Sequence, residues 1–129
     1  MRVRSVVPSD LDAIHRLLLT NGWAHRIGTV EDLGRLVSAS QRSLVAVEND
    51  EVMGFARAIT DGISNGYLSM VVVAEPFRRQ GIGQALVESL IGSEPNITWV
   101  LRAGREGATE FFAELGFSVS TIAMERPRR

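Results

Sequence analysis

Apolar residues along the chain follow two different periods, and the changes between them divide the chain into strands and helices. Alternating or continuous β-branched runs are typical of strands, whereas apolar residues that recur every three or four positions are typical of one face of a helix. The pattern predicts strands over 3–7, 43–47, 52–59, 67–73, 97–102 and 117–124, and helices over about 30–40, 80–91 and 106–115, with a first helix between Ser9 and Asn21. No linker or repeat interrupts this order, so we predict a single mixed α/β domain over residues 1–129.

Three local signals mark where the predicted elements begin and turn. Ser9 is the expected N-cap of the first helix, with Asp12 three residues later, and Thr29 is the expected N-cap of the second. The polar segment 48–51 is predicted to be the turn of a β-hairpin.

The segment from Val71 to Val87 carries the most specific signal. An apolar strand ends, Arg78 and Arg79 follow, and Gly81 and Gly83 immediately precede an amphipathic helical pattern. The first N–H groups of a helix have no partner within it, and the positive end of the helix dipole attracts anions, phosphates above all. The segment therefore predicts a cradle for a diphosphate.

Two common phosphate-binding motifs fit this segment poorly. The dinucleotide motif G-x-G-x-x-G requires a third glycine where this chain has Leu86. The Walker A loop ends in Gly-Lys-Ser/Thr, and the chain contains no lysine. The ligand is therefore expected to be a diphosphate of another kind.

The spacing Arg78-x-x-Gly81-x-Gly83 resembles the acetyl-coenzyme A signature of the GNAT-type N-acetyltransferases. The segment 108–117, which ends in Leu-Gly-Phe, resembles the second landmark of that superfamily. The resemblance implies a central mixed, mostly antiparallel sheet flanked by helices, with a V-shaped opening near Val73. It also implies transfer of an acetyl group from acetyl-CoA to an amine.

The family pattern, carried over to matching positions, assigns the coenzyme to two stretches of main chain. The pantetheine arm would pair with the strand at Val71, Val72 and Val73. The diphosphate would lie on the N–H groups of Arg79, Gln80, Gly81, Ile82, Gly83 and Gln84, with Arg78 nearby.

The acid–base part of the family pattern is altered. Many members have a tyrosine that protonates the departing thiolate where this chain has Phe112, and some have a catalytic glutamate where it has Val100. The position of a common asparagine before the last helix is Arg105. Tyr67 and Ser69 are our catalytic candidates, since strand alternation places them on one face together with Val71 and Val73.

The acceptor side is predicted from loops that approach it in this fold, and the candidates there are Trp23, His25 and Asp61. The expected acceptor is a primary amine of a small molecule, because the chain has no acidic run that would attract a basic peptide; a protein amine is the alternative acceptor. A second hypothesis is a catalytically weak acetyl-CoA-binding module that serves as a sensor or regulator.

Composition excludes several other functions. The net charge of −1 and the lack of an aromatic–basic stripe argue against a nucleic-acid partner. The chain has no cysteine, and its two histidines lack the spacing of metal ligands, so no metal site is expected. No apolar run approaches the length of a membrane span. We expect a cytoplasmic protein, and the resemblance is compatible with a homodimer.

Overall fold

The computed structural model describes residues 1–129 and contains one five-stranded sheet flanked by helices on both faces. The strands are β1 Arg2–Ser5, β2 Arg42–Glu48, β3 Glu51–Thr60, β4 Asn65–Val73 and β5 Thr98–Val100, in that spatial order. The helices are α1 Leu11–Leu19, α2 Ala24–Ile27, α3 Val30–Ala39, α4 Ile82–Ile91 and α5 Ala108–Glu114. Neighbouring strands are antiparallel except β4 and β5, which are parallel. The mixed α/β class is thus confirmed.

The two faces of the sheet support two separate cores. On one face, Ile14 and Leu18 of α1 and Leu33 of α3 pack against Phe55, all of them fully buried. On the other face, Leu86 and Leu90 of α4 pack against the small residues of β2 and β3, with the aromatic side chains of α5 at the border. No helix is both long enough and apolar enough to cross a membrane.

One predicted helix cap is confirmed and one is wrong. The Thr29 hydroxyl accepts a hydrogen bond from the Asp32 N–H, and the Asp32 carboxylate accepts one from the Thr29 N–H. Ser9 caps nothing; instead a single 3₁₀ turn precedes α1, and the carboxylate of Asp10 accepts the Val7 N–H at 2.8 Å. Arg4 also donates twice to this carboxylate, so Asp10 combines the cap with an ion pair.

A β-bulge in β4 changes which side chains share a face. Arg57 lies opposite Ser69 and Phe55 opposite Val72, so Ala56 faces two residues of β4, and Met70 has a φ of +57°. One extra residue turns all later side chains to the other side of the sheet. As a result, the even-numbered Leu68 before the bulge packs in the α4 core, whereas the even-numbered Met70 and Val72 pack in the α1–α3 core.

The prediction that Tyr67, Ser69, Val71 and Val73 share one face is therefore wrong. Tyr67 and Ser69 lie on the α1–α3 side, opposite Leu68, which belongs to the α4 core. After the bulge, Val71 and Val73 pack toward α4, while Met70 and Val72 belong to the α1–α3 core. Period-2 alternation cannot reveal a bulge, because the bulge is set by the neighbouring strand.

The sheet opens beyond the middle of β4. β5 pairs with β4 only from Asn65 to Tyr67, so the last six residues of β4 have no neighbour on that side. The strand predicted over 97–102 is shortened to three residues. This opening agrees with the V-shape expected near Val73.

The strand predicted over 117–124 is absent. Residues 118–129 have no regular structure, and Val119, Ile122 and Met124 are 81%, 90% and 98% exposed. An apolar alternation predicts a strand only where a neighbour supplies backbone partners, and here no residue of this segment joins the sheet.

Candidate functional site

A cleft of about 1250 Å³ opens where β4 and β5 part. Its walls are the second half of β4, the loop that leads into α4, the beginning of α5, and the turn between α1 and α2. The cleft is lined from both faces of the sheet, by Tyr67 and Ser69 on one face and by Val71 and Val73 on the other. We call the part beside the α4 loop, where the sequence predicts the coenzyme, the coenzyme end, and the part beside α1, α2 and α3, where it predicts the acceptor, the acceptor end.

Main-chain N–H groups dominate the coenzyme end. The six consecutive N–H groups from Arg79 to Gln84 make no hydrogen bond within the protein. Arg79 and Gly81 both have left-handed backbone conformations, with φ of +65° and +81°, and α4 begins at Ile82. Successive free N–H groups in this conformation, at the positive end of a ten-residue helix, form a concave site for an anion.

The two glycines of this loop have different roles. A side chain at Gly81 would meet no atom within 4 Å, so its surroundings are open. A Cβ at Gly83 would lie 3.1 Å from the ring of Phe111 and 3.6 Å from Val73, so glycine lets α4 lie closer to α5 than a larger residue would. Gly83 therefore sets the width of the cleft at the beginning of the helix, in addition to exposing its N–H.

Arg78 and Arg79 also differ. Arg78 donates from Nε to the Val73 carbonyl oxygen at 3.0 Å, and from its guanidinium to the side-chain oxygen of Asn21. It therefore ties the end of β4 to the turn after α1. The Arg79 side chain is exposed and makes no hydrogen bond, so it is the free cation of the loop.

The second half of β4 presents an open main-chain edge. Val72 pairs with Phe55 and Val73 with Gly54 on one side, and no strand lies on the other side of residues 71–73. The Val73 carbonyl oxygen on this stretch already accepts the bond from Arg78. An extended ligand with amide groups can align along this edge as an additional strand would.

The three acceptor-side candidates separate in the structure. Trp23 and His25 line the cleft, Trp23 half-buried and His25 exposed. Asp61 does not line it: the Ser64 hydroxyl and the N–H groups of Ile63, Ser64 and Asn65 all donate to its carboxylate. The Ser64 bonds, followed by the other two, hold the pKa of Asp61 below its usual range. Asp61 thus shapes its own loop.

The catalytic candidates both line the cleft on the acceptor side. The Tyr67 hydroxyl oxygen accepts a hydrogen bond from Arg102 Nε at 2.9 Å, and this bond raises the pKa of Arg102. Ser69 is half-buried and its hydroxyl has no partner within the protein. Phe112 also lines the cleft, packed edge-on against Phe111 and Phe117, and supplies no proton.

Several arginines of the acceptor end were not identified from the sequence. The Arg105 guanidinium lies 4.1 Å from the centre of the Trp23 ring and donates to the Asn21 carbonyl oxygen. Arg57 is buried on β3 and also lines the cleft. Its position carried a readable signal, since it interrupts the otherwise apolar stretch 52–59 of a central strand.

Comparison with known proteins agrees with this geometry. The family model of the acetyltransferase (GNAT) family matches residues 11–117. The chain belongs to the GNAT acetyltransferase family. The PanD regulatory factor of Salmonella typhimurium is 32% identical over 95 residues, which cover 70% of this chain and 74% of that protein.

Solved structures show the same fold over the whole chain. A GNAT family acetyltransferase from Streptococcus pneumoniae is 25% identical and superposes with a TM-score of 0.79, covering 99% of this chain and 96% of that one. A GNAT family member from Xanthomonas campestris is 22% identical, with a TM-score of 0.82 over 99% and 94% of the two chains. GNAT proteins generally use acetyl-CoA, which fits the free N–H groups at the beginning of α4.

Proposed function

We propose that this protein is an N-acetyltransferase that uses acetyl-CoA to acetylate a primary amine of a small molecule. The six adjacent unpaired N–H groups of Arg79–Gln84 carry the proposal. They supply the donors that a diphosphate needs and have no structural purpose within the fold. The open edge at residues 71–73 supports the proposal further, because its main chain can pair with the amides of a pantetheine arm.

Main-chain binding leaves the two ends of the cleft with separate tasks. Residues 79–84 and the open edge of β4 hold the coenzyme, and the thioester would lie where β4 and β5 part. Tyr67 and Ser69 lie at that opening on the acceptor side. An alkyl amine has a pKa of about 10, so most of it carries a proton, which must pass to water before the amine can attack the thioester.

Tyr67 is our candidate for handling protons at the reaction centre. Its oxygen accepts from Arg102, so its own proton is free for a second partner, either the departing thiolate or a water. Ser69 adds an unpaired hydroxyl two residues away on the same face. Phe112 stands at the position of the family's usual tyrosine and has no proton to donate. The thiolate therefore leaves either with the proton of Tyr67 or without protonation.

A second candidate function is regulation of a protein partner in response to acetyl-CoA. Two observations favour it: Phe112 lacks the hydroxyl of the usual acid, and a 32% identical relative is named the PanD regulatory factor. A protein amine as acceptor is the corresponding alternative for the catalytic hypothesis.

The experiment that separates these candidates is release of thiol from acetyl-CoA in the presence of a panel of primary amines. An N-acetyltransferase gives saturable, amine-dependent release and an acetylated product visible by mass spectrometry. Tight acetyl-CoA binding without release for any amine would overturn the catalytic proposal and favour the regulator.

A further inference from the structure

The charge of the cleft is opposite to that of the protein. The chain as a whole has a net charge of −1, yet the cleft is lined by seven arginines and by a single carboxylate, Glu106. Two of the arginines belong to the loop before α4. The other five are Arg26, Arg57, Arg102, Arg105 and Arg128. Since field lines concentrate in a cleft lined by one sign of charge, the acceptor end attracts anions and repels cations.

Arg57 is the least accessible of these cations. It is 8% exposed, on the central strand β3, and its Nη1 donates to the Ser40 hydroxyl at 3.1 Å. Its Nε is buried and has no hydrogen-bond partner, and no carboxylate lies within ion-pair distance. Burial lowers the pKa of Arg57, but a guanidinium remains charged in proteins.

A buried cation without a counter-ion destabilises the folded protein, unless an anion from outside the chain neutralises it. Two other arginines of the acceptor end have partners: Arg102 contacts Tyr67 and Glu125, and Arg105 contacts Asn21 and Trp23. Arg26 and Arg128 have none, but neither is buried. Arg57 alone among the residues that line the cleft combines a buried guanidinium with a donor that has no partner and with no ion-paired carboxylate.

The neighbours of Arg57 suit a small anion. Ser69 lies directly opposite on β4, on the same face, with an unpaired hydroxyl. Tyr67 is two residues away along the same strand and also lines the cleft. A guanidinium and a hydroxyl together match the two oxygens of a carboxylate, which a single arginine can neutralise.

We propose that Arg57 anchors a carboxylate of the acceptor, so that the substrate is an amine that also carries a carboxylate, as an amino acid does. This inference rests on the proposed acetyl transfer and assigns its substrate class. The carboxylate binds Arg57 and Ser69 deep on the acceptor side, which leaves the amine to point toward the opening between β4 and β5. Uncharged and purely cationic amines lack this anchor.

The test compares the twenty common amino acids with their C-terminal carboxamides on the CoA-loaded protein by calorimetry, and on the acetyl-CoA-loaded protein by thiol release. We expect at least one acid to be preferred over its carboxamide by about tenfold or more. The carboxamides have less basic amines and are intrinsically more available for acylation, so a preference for the acid reports recognition of the carboxylate.

Arg57→Met is the decisive variant, and Arg35→Met, at an exposed position of α3, is its matched control. Arg57→Met should lose about a hundredfold in affinity and kcat/KM for the acid, as expected when one member of a buried charge pair is truncated. Its activity with the carboxamide should fall far less than its activity with the acid, and its affinity for acetyl-CoA should match that of the wild type. The control should behave as the wild type.

The possible failures are distinguishable. Equal use of acids and carboxamides, an acid preference that survives Arg57→Met, or a loss that affects both ligands alike would overturn the role of Arg57 while acetyl transfer stands. Binding of CoA with no binding of any acid would also overturn it. Failure of CoA itself to bind would instead overturn the proposed function.

Discussion

The two ends of the cleft are built from different parts of the polypeptide. The coenzyme end is formed by six consecutive N–H groups and one strand edge, all within residues 71–84. The acceptor end is formed by side chains from at least four separate segments, among them Arg57 on β3, Tyr67 on β4 and Trp23 before α2. A main-chain site depends on local conformation, whereas a side-chain site depends on how distant elements pack. The two ends should therefore respond to different substitutions.

The largest effect is expected at the coenzyme end, from Gln84→Pro. Proline is tolerated in the first turn of a helix, and Gln84 is exposed, so the fold should survive while one free N–H is lost. A hydrogen bond to a charged group contributes about 1.5–3 kcal/mol, so acetyl-CoA affinity should fall by roughly 10- to 100-fold.

Gln84→Ala is the matched control, because it removes the same side chain and its bond to Glu88 but keeps the N–H. It should bind acetyl-CoA as the wild type does. If both variants bind equally in a calorimetric titration, the N–H of Gln84 has no part in the site.

The next largest effect is expected on the free energy of unfolding, from the hydrogen bonds of Asp10 just before α1. Arg4 first, and then the Val7 N–H, hold the pKa of Asp10 below its usual range. Asp10→Ala should lower the free energy of unfolding by roughly 1–3 kcal/mol at neutral pH, because two donors lose their partner. Asp12→Ala, at an exposed position in the first turn of α1, is the control.

The pH dependence of that effect has a defined sign. A carboxylate with a lowered native pKa stabilises the fold fully above its unfolded pKa, about 3.9, and loses this contribution as the pH falls toward the native value. The difference between wild type and Asp10→Ala in urea unfolding should therefore shrink below about pH 4. A difference that stays constant down to acid unfolding would contradict this.

A smaller effect is expected at the acceptor end from Arg105→Met. The guanidinium of Arg105 stacks on Trp23 and bonds to the Asn21 carbonyl oxygen, so its loss should lower the melting temperature by about 2–5 °C. The fluorescence of Trp23, measured in a Trp99→Phe background, should change, and acetyl-CoA affinity should not. Arg16→Met, on the exposed side of α1, should alter neither property.

The smallest effect is expected from Asp61→Ala. The carboxylate of Asp61 bonds only within its own loop, away from the cleft, so the KM for the acceptor and the affinity for acetyl-CoA should match the wild type. A clear rise in the acceptor KM would contradict this and would show that Asp61 contributes to acceptor binding from outside the cleft.

The loop and the helix start that form the coenzyme end could be predicted from the sequence because their signals are local. Glycines at 81 and 83 followed by helical periodicity specify a loop and a helix start without reference to the rest of the chain. The cap at Thr29 was predicted for the same reason, since both of its hydrogen bonds join residues three apart.

What the sequence did not predict depends on distant packing. The bulge at Met70 follows from pairing with β3, and it reversed the expected face of Val71 and Val73 relative to Tyr67. Ser9 does not cap α1, and the carboxylate of Asp10 instead accepts hydrogen bonds from Arg4 of β1 and from the Val7 N–H. The apolar residues of 117–124 suggested a strand, but β5 is only three residues long and takes no partner there.

The central claim is that the main chain before α4 binds the diphosphate of acetyl-CoA. A calorimetric titration of the purified protein with acetyl-CoA, free CoA and NAD tests it most directly. The account predicts saturable micromolar binding of acetyl-CoA and of CoA, and none of NAD. Absence of binding by either coenzyme, or equal binding of NAD, would contradict it.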